Sequence, residues 1–316
     1  MYEEHFGLKE KPFSITPDAD FLYMSDKHRA ALATIEYGVF EQSGITVVTG
    51  DIGAGKTTLI RHLISTASYG DMSIGLVSNV QQSLGNLLQW VAIALDLHTG
   101  EEELTNMQSF RRLQDHLVEE YSQGRRVVLL IDEAQNMSIE SLEELRMLIN
   151  FNADKHQLLQ IVLVGQPELL KTLEKPELEQ FAQRVTAEYH LTALDLRETC
   201  QYINSRLCSA GYSESGLFHL HAIEVIYYFS AGLPRLINTL CDYALVATYG
   251  SDADQVSFDL ALDTVKHKRI GGISRHTAQP LGAATIREQV LKREGIDLDK
   301  VKEMKETAEI REVKEG

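Results

Sequence analysis

A glycine-rich motif at residues 50–57 restricts the fold of this chain more than any other feature. It reads Gly-Asp-Ile-Gly-Ala-Gly-Lys-Thr and fits the pattern G-x-x-x-x-G-K-[ST] at every fixed position. Glycines in these places let successive backbone N–H groups turn inward around phosphate oxygens. An apolar run at residues 45–49 precedes the motif, and a helix is predicted to begin near Lys56, with the positive end of its dipole facing the phosphates. Such a strand–loop–helix unit predicts an α/β fold that binds a nucleotide.

The side chains of this loop have separate expected roles in binding ATP and Mg²⁺. Lys56 is expected to reach the β and γ phosphate oxygens, and the Thr57 hydroxyl is expected to ligate magnesium. The sequence therefore predicts ATP and Mg²⁺ as cofactors. The residues predicted to contact the nucleotide are Gly50, Asp51, Ile52, Gly53, Ala54, Gly55, Lys56, Thr57 and Thr58.

A second motif, an apolar run that ends in two carboxylates, completes the predicted catalytic centre. Residues 127–131 are apolar at every position, as in a central strand covered on both faces, and Asp132 and Glu133 follow. Asp132 is predicted to hold magnesium together with Thr57, and Glu133 is predicted to polarise the attacking water. Two carboxylates after a buried strand can also merely begin a turn, but the glycine-rich loop upstream favours the catalytic interpretation.

Three further polar residues are candidates because of where they stand in the chain. Gln166 follows a predicted strand at residues 158–164 and is expected to sense the γ-phosphate or to position the water. Arg184 precedes the last predicted strand of the sheet domain, and Arg235 opens a helix of the following domain directly after Pro234. An arginine is usually just a solvated surface residue. These two are candidates because one lies at the edge of the predicted sheet domain and the other in a helical lid that could fold over the nucleotide.

The order of segments predicts an α/β domain followed by a helical domain. Five strand candidates alternate with amphipathic stretches, which favours a parallel sheet with right-handed crossovers. After about residue 192 only helical patterns follow. The strand candidates are residues 45–49, 73–78, 127–131, 158–164 and a weaker one near 188–191. The predicted regions are 1–192, an N-terminal segment with the P-loop ATPase domain, 193–270, a helical lid, and 271–316, a linker and charged tail.

The charge balance disfavours nucleic acid as a partner. Asp and Glu number 46 against 30 Lys and Arg, giving a formal net charge of -16, and an acidic surface repels phosphate backbones. The sequence has no signal peptide and no apolar window long enough to cross a membrane, so we expect a cytoplasmic protein. In residues 287–316, 8 basic and 9 acidic residues predict a solvated helix, a partner-binding helix or a disordered tail.

These motifs together resemble the AAA+ ATPases of the general secretion pathway protein A (ExeA) type and the similar ATPases associated with exosortase and exopolysaccharide gene clusters. The resemblance covers about residues 1–268. Besides the two motifs above, it rests on the segments His-Phe-Gly-Leu at 5–8, Lys-Pro-Phe at 11–13, Phe-Leu-Tyr at 21–23, His28, Gly-Gln-Pro-Glu-Leu at 165–169, Gln-Arg-Val at 183–185 and Gly-Leu-Pro-Arg at 232–235. Transposition helper ATPases are more distant relatives.

The resemblance implies an αβα sandwich with sheet order 5-1-4-3-2 and a small helical lid. It also implies that Arg184 is an arginine finger acting on a neighbour's nucleotide and that Arg235 is a lid sensor, so a homo-oligomeric ring or filament is expected. Family members of the secretion pathway continue into a membrane span and a peptidoglycan-binding domain. Neither is found in this sequence, so membrane work is expected to go through a partner.

The function implied by the resemblance is ATP hydrolysis that drives assembly or remodelling of a cell-envelope secretion or polysaccharide-export system, with a cell-envelope protein as partner. Two alternatives stay open at this stage. One is a helper ATPase that loads onto DNA, and the other is a nucleotide-gated scaffold whose slow hydrolysis resets a partner complex.

Overall fold

The computed structural model describes residues 1–16, 21–41, 44–66, 72–78, 87–97, 105–153, 156–214, 216–267 and 283–293. The chain divides into two compact units, one formed by residues 24–192 and one formed by residues 1–23 together with the chain after residue 192. The predicted linker at residues 271–280 and the tail after residue 293 lie outside the described residues.

The unit of residues 24–192 is built on a five-stranded parallel sheet. In chain order its strands are β1 (Ile45–Gly50), β2 (Met72–Ser78), β3 (Arg126–Asp132), β4 (Leu159–Gly165) and β5 (Val185–Leu191). They lie in the order β5-β1-β4-β3-β2, which confirms the predicted order 5-1-4-3-2. The weak strand candidate near residue 188 is therefore a full edge strand beside β1.

Helices flank the sheet and build the second unit. In chain order they are α1 (Tyr2–His5), α2 (Asp26–Phe40), α3 (Lys56–Thr66), α4 (Leu87–Ala94), α5 (Asn106–Ser122), α6 (Ile139–Leu148), α7 (Glu168–Leu173), α8 (Glu179–Ala182), α9 (Leu196–Ser209), α10 (Leu220–Ser230), α11 (Pro234–Gly250), α12 (Phe258–His267) and α13 (Ala283–Arg293). Among the described residues, no helix is both long and apolar enough to cross a membrane.

The central strands of the sheet are buried on both faces. All side chains of residues 127–131 in β3 and of residues 159–165 in β4 are buried. Such strands read as continuous apolar runs because helices cover both sides of a parallel sheet. The edge strand β5 instead alternates between half-buried and exposed side chains. This difference explains why β5 gave the weakest pattern in the sequence.

Helix α2 lies unusually close to β1. Its N-cap is Ser25, whose Oγ accepts a hydrogen bond from the backbone N–H of His28 at 3.3 Å. Further along the helix, a Cβ on Gly38 would lie 1.9 Å from Thr46 Oγ1, so only glycine allows this approach. The helix therefore packs closely against β1, the strand that leads into the glycine-rich loop.

The second unit has its own core, rich in aromatic side chains, and the N-terminal segment belongs to it. Tyr2, Phe6 and Phe13 are buried in this core. The guanidinium of Arg206 donates to the carbonyl of Pro12 at 2.6 Å. The sequence-based partition placed residues 1–23 with the ATPase domain, whereas these contacts attach them to the helical unit. Local patterns could not reveal this, because the contacts join residues about 200 positions apart.

The part of the charged tail that the structure describes is a folded helix packed on the second unit. Ile286 of α13 is 1% exposed and belongs to the aromatic-rich core. Tyr228 of α10 donates a hydrogen bond to Gln289 at 2.5 Å, and Arg287 lies 3.6 Å from the buried carboxylate of Glu224. Residues 283–293 therefore contribute to the core of the helical unit.

Candidate active site

The glycine-rich loop connects the end of β1 to the start of α3, which begins at Lys56 as predicted. Lys56 Nζ donates to the backbone carbonyls of Gly50 and Asp51, at 2.5 and 2.9 Å. Burial lowers the pKa of the Lys56 ammonium, while the nearby carboxylates of Glu133 and Asp132 act in the opposite direction. The loop thus folds around a buried lysine side chain at the place where phosphates would bind.

Glycines make this loop conformation possible for two different reasons. Gly53 and Gly55 have φ angles of 83° and 104°, in the region that side chains disfavour. A Cβ on Gly55 would also lie 2.7 Å from His28 Nε2. Gly50 is needed for space instead, because a Cβ there would lie 2.5 Å from the carbonyl oxygen of Leu191 in β5. The loop is therefore fixed both by backbone conformation and by close neighbours.

The predicted magnesium ligands are in direct contact. Thr57 Oγ1 donates to Asp132 Oδ2 at 2.8 Å, and the backbone N–H of Glu133 donates to Asp132 Oδ1 at 2.9 Å. Asp132 is 6% exposed, and burial raises its pKa, although these two hydrogen bonds oppose that shift. A hydroxyl and a carboxylate fit Mg²⁺, which takes a few protein oxygens and completes its shell with water and substrate phosphates.

Glu133 follows Asp132 in a strained backbone conformation. Its φ and ψ are 54° and 37°, the left-handed region that a glutamate rarely adopts, and it leads into a short 3-10 turn, Ala134–Asn136. Strain of this kind persists where the surroundings hold the residue in place, often at functional sites. Here Glu133 Oε2 accepts hydrogen bonds from Gln135 Nε2 at 2.5 Å and from Gln166 Nε2 at 3.3 Å. The structure therefore brings the predicted water-activating residue and the predicted sensor together.

Two polar residues at this site were not among the predicted site residues. Gln135, which stands two residues after Glu133 in the sequence, joins the Glu133–Gln166 pair. His28 is buried against the glycine-rich loop, with Nε2 3.2 Å from the carbonyl oxygen of Ala54 and Nδ1 2.8 Å from Ser25 Oγ. A histidine three residues after an N-cap serine gives no sign, in one sequence, that it will face a loop 26 residues away.

Arg184 lies at the opposite end of the sheet from the glycine-rich loop. Its side chain is exposed, Nη2 donates to Asn150 Oδ1 at 3.3 Å, and its carbonyl accepts from the backbone N–H of Ile45 at the start of β1. The loop begins at Gly50, five residue steps further along β1, or about 17 Å at roughly 3.3 Å per residue. The side chain of Arg184 therefore does not meet the phosphate site of its own chain.

Arg235 belongs to the second unit. It is the second residue of α11, it is exposed, and its backbone carbonyl accepts a hydrogen bond from the Thr239 hydroxyl at 2.9 Å. Its role as a lid sensor stays a prediction, as do the contacts of Thr58 and Ile52 with a nucleotide.

Comparison with known protein families places this site in an AAA domain. Residues 40–173 match the family model described as "AAA domain". General secretion pathway protein A of Aeromonas hydrophila is 38% identical over 256 residues, which are 81% of this chain and 46% of that protein. The chain therefore spans about half the length of the curated relative that it matches.

Solved structures with a similar fold include two proteins whose names refer to Cdc6 and ORC. Cdc6p from Pyrobaculum aerophilum matches with a TM-score of 0.61 at 14% identity, over 85% of this chain and 74% of that chain. ORC2 from Aeropyrum pernix, solved as ADPNP-ADP complexes, matches with a TM-score of 0.59 at 16% identity, over 90% of this chain and 83% of that chain. At these identities the likeness shows the fold alone, which is that of AAA+ proteins.

Proposed function

This chain is an AAA domain protein, and from that premise we propose that it binds Mg-ATP at residues 50–58 and hydrolyses it. The observation that carries the proposal is the meeting of three groups at the carboxyl ends of β1, β3 and β4. Lys56 lies in the loop after β1, the Thr57–Asp132 pair joins that loop to β3, and Glu133 bonds to Gln166 after β4. Ligands of open parallel sheets bind at this edge.

Each group has a part in the proposed reaction. Lys56 moves its ammonium from the loop carbonyls to the β and γ phosphate oxygens. Thr57 and Asp132 would hold magnesium, which would neutralise charge on the transferred phosphoryl group. Glu133 orients the attacking water and accepts its proton. The side-chain N–H of Gln166 donates a hydrogen bond to the γ-phosphate or to that water.

The proposed catalytic unit is an oligomer in which Arg184 serves the neighbouring chain. An arginine finger stabilises the charge that develops on the phosphoryl group. Because Arg184 lies about 17 Å from the loop of its own chain along β1, it can do this only across an interface between chains. The exposed position of Arg184 at the edge of the sheet supports this assignment. Arg235 is proposed as the sensor of the helical lid.

For the biological role, we propose that hydrolysis drives assembly or remodelling of a cell-envelope secretion or polysaccharide-export system from the cytoplasmic side. The support is the 38% identity to general secretion pathway protein A. A cell-envelope protein would then be the partner, and no DNA would be needed, in keeping with a net charge of -16.

Two substitutions test the catalytic assignment. Lys56→Ala should abolish ATP binding because it removes the charge that meets the phosphates, with the exposed Lys171→Ala as the matched control. Glu133→Gln should bind ATP with normal affinity and turn it over at least about 100-fold more slowly, because the amide cannot accept a proton. Its control is the exposed Glu144→Gln. Equilibrium binding of a fluorescent ATP analogue and phosphate release measure the two steps separately. Normal hydrolysis by Glu133→Gln would contradict the proposal.

The Glu133→Gln variant, which is expected to hold ATP without hydrolysing it, also tests the biological role. In a pull-down from a detergent extract of the source cells, immobilised Glu133→Gln protein saturated with ATP should bind envelope proteins. Lys56→Ala should not bind them, because it does not bind ATP. In parallel, binding to duplex DNA is measured at low and moderate salt. Tight ATP-dependent DNA binding that weakens steeply with salt would replace the envelope function with the DNA-loading alternative, because phosphate contacts release counterions.

A further inference from the structure

The side-chain amide of Gln135 is bonded at both of its ends. Its Nε2 donates to Glu133 Oε2 at 2.5 Å, and its Oε1 accepts from the backbone N–H of Gln166 at 2.9 Å. Glu133 directly follows β3 and Gln166 directly follows β4. One amide group therefore connects the residue that activates water to the loop that carries the proposed γ-phosphate sensor.

The surroundings of Gln135 hold this arrangement in one geometry. The residue sits in the 3-10 turn Ala134–Asn136, whose first member, Ala134, is fully buried. The end of β4 comes so close that a Cβ on Gly165 would lie 3.0 Å from Gln135 Oε1 and 3.3 Å from Gln135 N. A larger residue at position 165 would therefore crowd the turn that carries Gln135. A side chain fixed in this way can fix its partners.

The hydrogen bonds also set which carboxylate oxygen can act on water. Both amide donors, from Gln135 and Gln166, converge on Oε2 of Glu133. Hydrogen bonds to a carboxylate are charge-assisted and hold its plane more firmly than neutral ones. With both donors on Oε2, we expect Oε1 to be the oxygen that accepts the proton.

We propose that Gln135 is a positioning residue for ATP hydrolysis, which holds Glu133 in its productive orientation and couples that orientation to the loop of Gln166. This inference rests on the proposed function, in which Glu133 accepts the proton of the attacking water. When the side chain of Gln166 binds the γ-phosphate, its backbone N–H stays bonded to Gln135 and fixes the position of that side chain. The carboxylate of Glu133 is therefore aligned only when the loop of Gln166 is in place. Gln135 itself touches no phosphate in this proposal, and most of the proposed phosphate contacts come from Lys56 and the backbone of the glycine-rich loop, so we expect little change in ATP affinity when the link is lost.

The first experiment separates turnover from binding. Gln135→Met keeps the length of the side chain but removes both hydrogen bonds. We expect kcat to fall by roughly ten- to a hundred-fold, the usual cost of misplacing a catalytic group, with the KM for ATP within about twofold of wild type. The control is Asn136→Ala, an exposed neighbour in the same turn, which should keep the wild-type rate. An unchanged or higher kcat for Gln135→Met would overturn the proposal.

The second experiment asks whether Gln135 acts through Glu133. In a double-mutant cycle, adding Gln135→Met to Glu133→Gln should cause no further loss in single-turnover hydrolysis, because the group that Gln135 positions is already disabled. A further loss as large as in the wild-type background would point to a merely structural role and would refute the inference. If Gln135→Met does not fold, Gln135→Glu serves instead, since it can still accept from the Gln166 N–H but cannot donate to Glu133. It should show the same fall in kcat.

The two proposals fail in different ways. If Glu133→Gln hydrolyses ATP at the normal rate, the proposed function itself is wrong. If Glu133→Gln is inactive but Gln135→Met and Gln135→Glu turn over normally, the catalytic assignment stands and only the positioning role is lost.

Discussion

Replacing Ile286 by alanine tests whether the charged C-terminal region is part of the folded helical unit. Ile286 is 1% exposed and is anchored among the aromatic side chains of that unit. Removing a buried isoleucine side chain to Cβ costs about 2–5 kcal/mol, and the lower end of this range already predicts a measurable effect. A loss of about 2 kcal/mol corresponds to a roughly thirtyfold larger population of the opened state.

Hydrogen–deuterium exchange of the native protein measures this opening without assuming that the two units unfold together. Backbone amides of α10, on which α13 packs, should exchange about thirtyfold faster in Ile286→Ala, while amides of β1 in the other unit should keep their wild-type rates. Thr285→Ala alters an exposed position of the same helix and should leave α10 protected. If α10 exchanges equally fast in Ile286→Ala and in wild type, α13 is not docked in solution and the reasoning fails.

Two further predictions concern assembly and the helical core. Mixing equal amounts of Arg184→Ala and Lys56→Ala chains should restore activity to about a quarter of the wild-type rate, because about one interface in four pairs an intact P-loop with an intact arginine. Steady-state phosphate release measures this, and the absence of any gain over the separate variants would argue against catalysis in trans. Burial raises the pKa of Cys200 to about 11 and raises that of the fully buried Cys241, so little thiolate forms near pH 8. Iodoacetamide should therefore modify the exposed Cys208 first, as followed by mass spectrometry, and equally fast modification of Cys241 would show that this core is open.

The sheet and its nucleotide loop could be predicted because their signals are local. The motif at residues 50–57, the apolar run before Asp132 and the alternation of short apolar runs with longer amphipathic stretches all lie within short windows of sequence. Parallel strands covered on both faces produce such runs, and right-handed crossovers then leave few possible orders of strands. The order of the strands was implied by the family resemblance alone, and the observed order β5-β1-β4-β3-β2 confirms it.

What escaped prediction depends on contacts between distant parts of the chain. Gln135 could not be assigned from one sequence, because its partner Gln166 is 31 residues away and the bond uses a backbone N–H that any residue would supply. His28 contacts the carbonyl oxygen of Ala54, 26 residues away, and no local pattern around His28 predicts that contact. The packing of α13 could not be read from a sequence so rich in charge, because it depends on the burial of Ile286 among side chains from distant helices.

If Arg184 completes the active site of a neighbouring chain, as proposed, its separation from the glycine-rich loop along β1 has a consequence for how activity scales with assembly. An interface that joins the arginine end of one sheet to the nucleotide end of the next uses two different surfaces, and such an interface makes either closed rings or open filaments. In an open filament, the terminal chain at one end holds a nucleotide that no arginine reaches, so the active sites are always one fewer than the chains. A ring has no such end. Short filaments would therefore be the least active per chain. A molecule that binds one end of a filament and stops its growth would lower the activity per chain without contacting the nucleotide site.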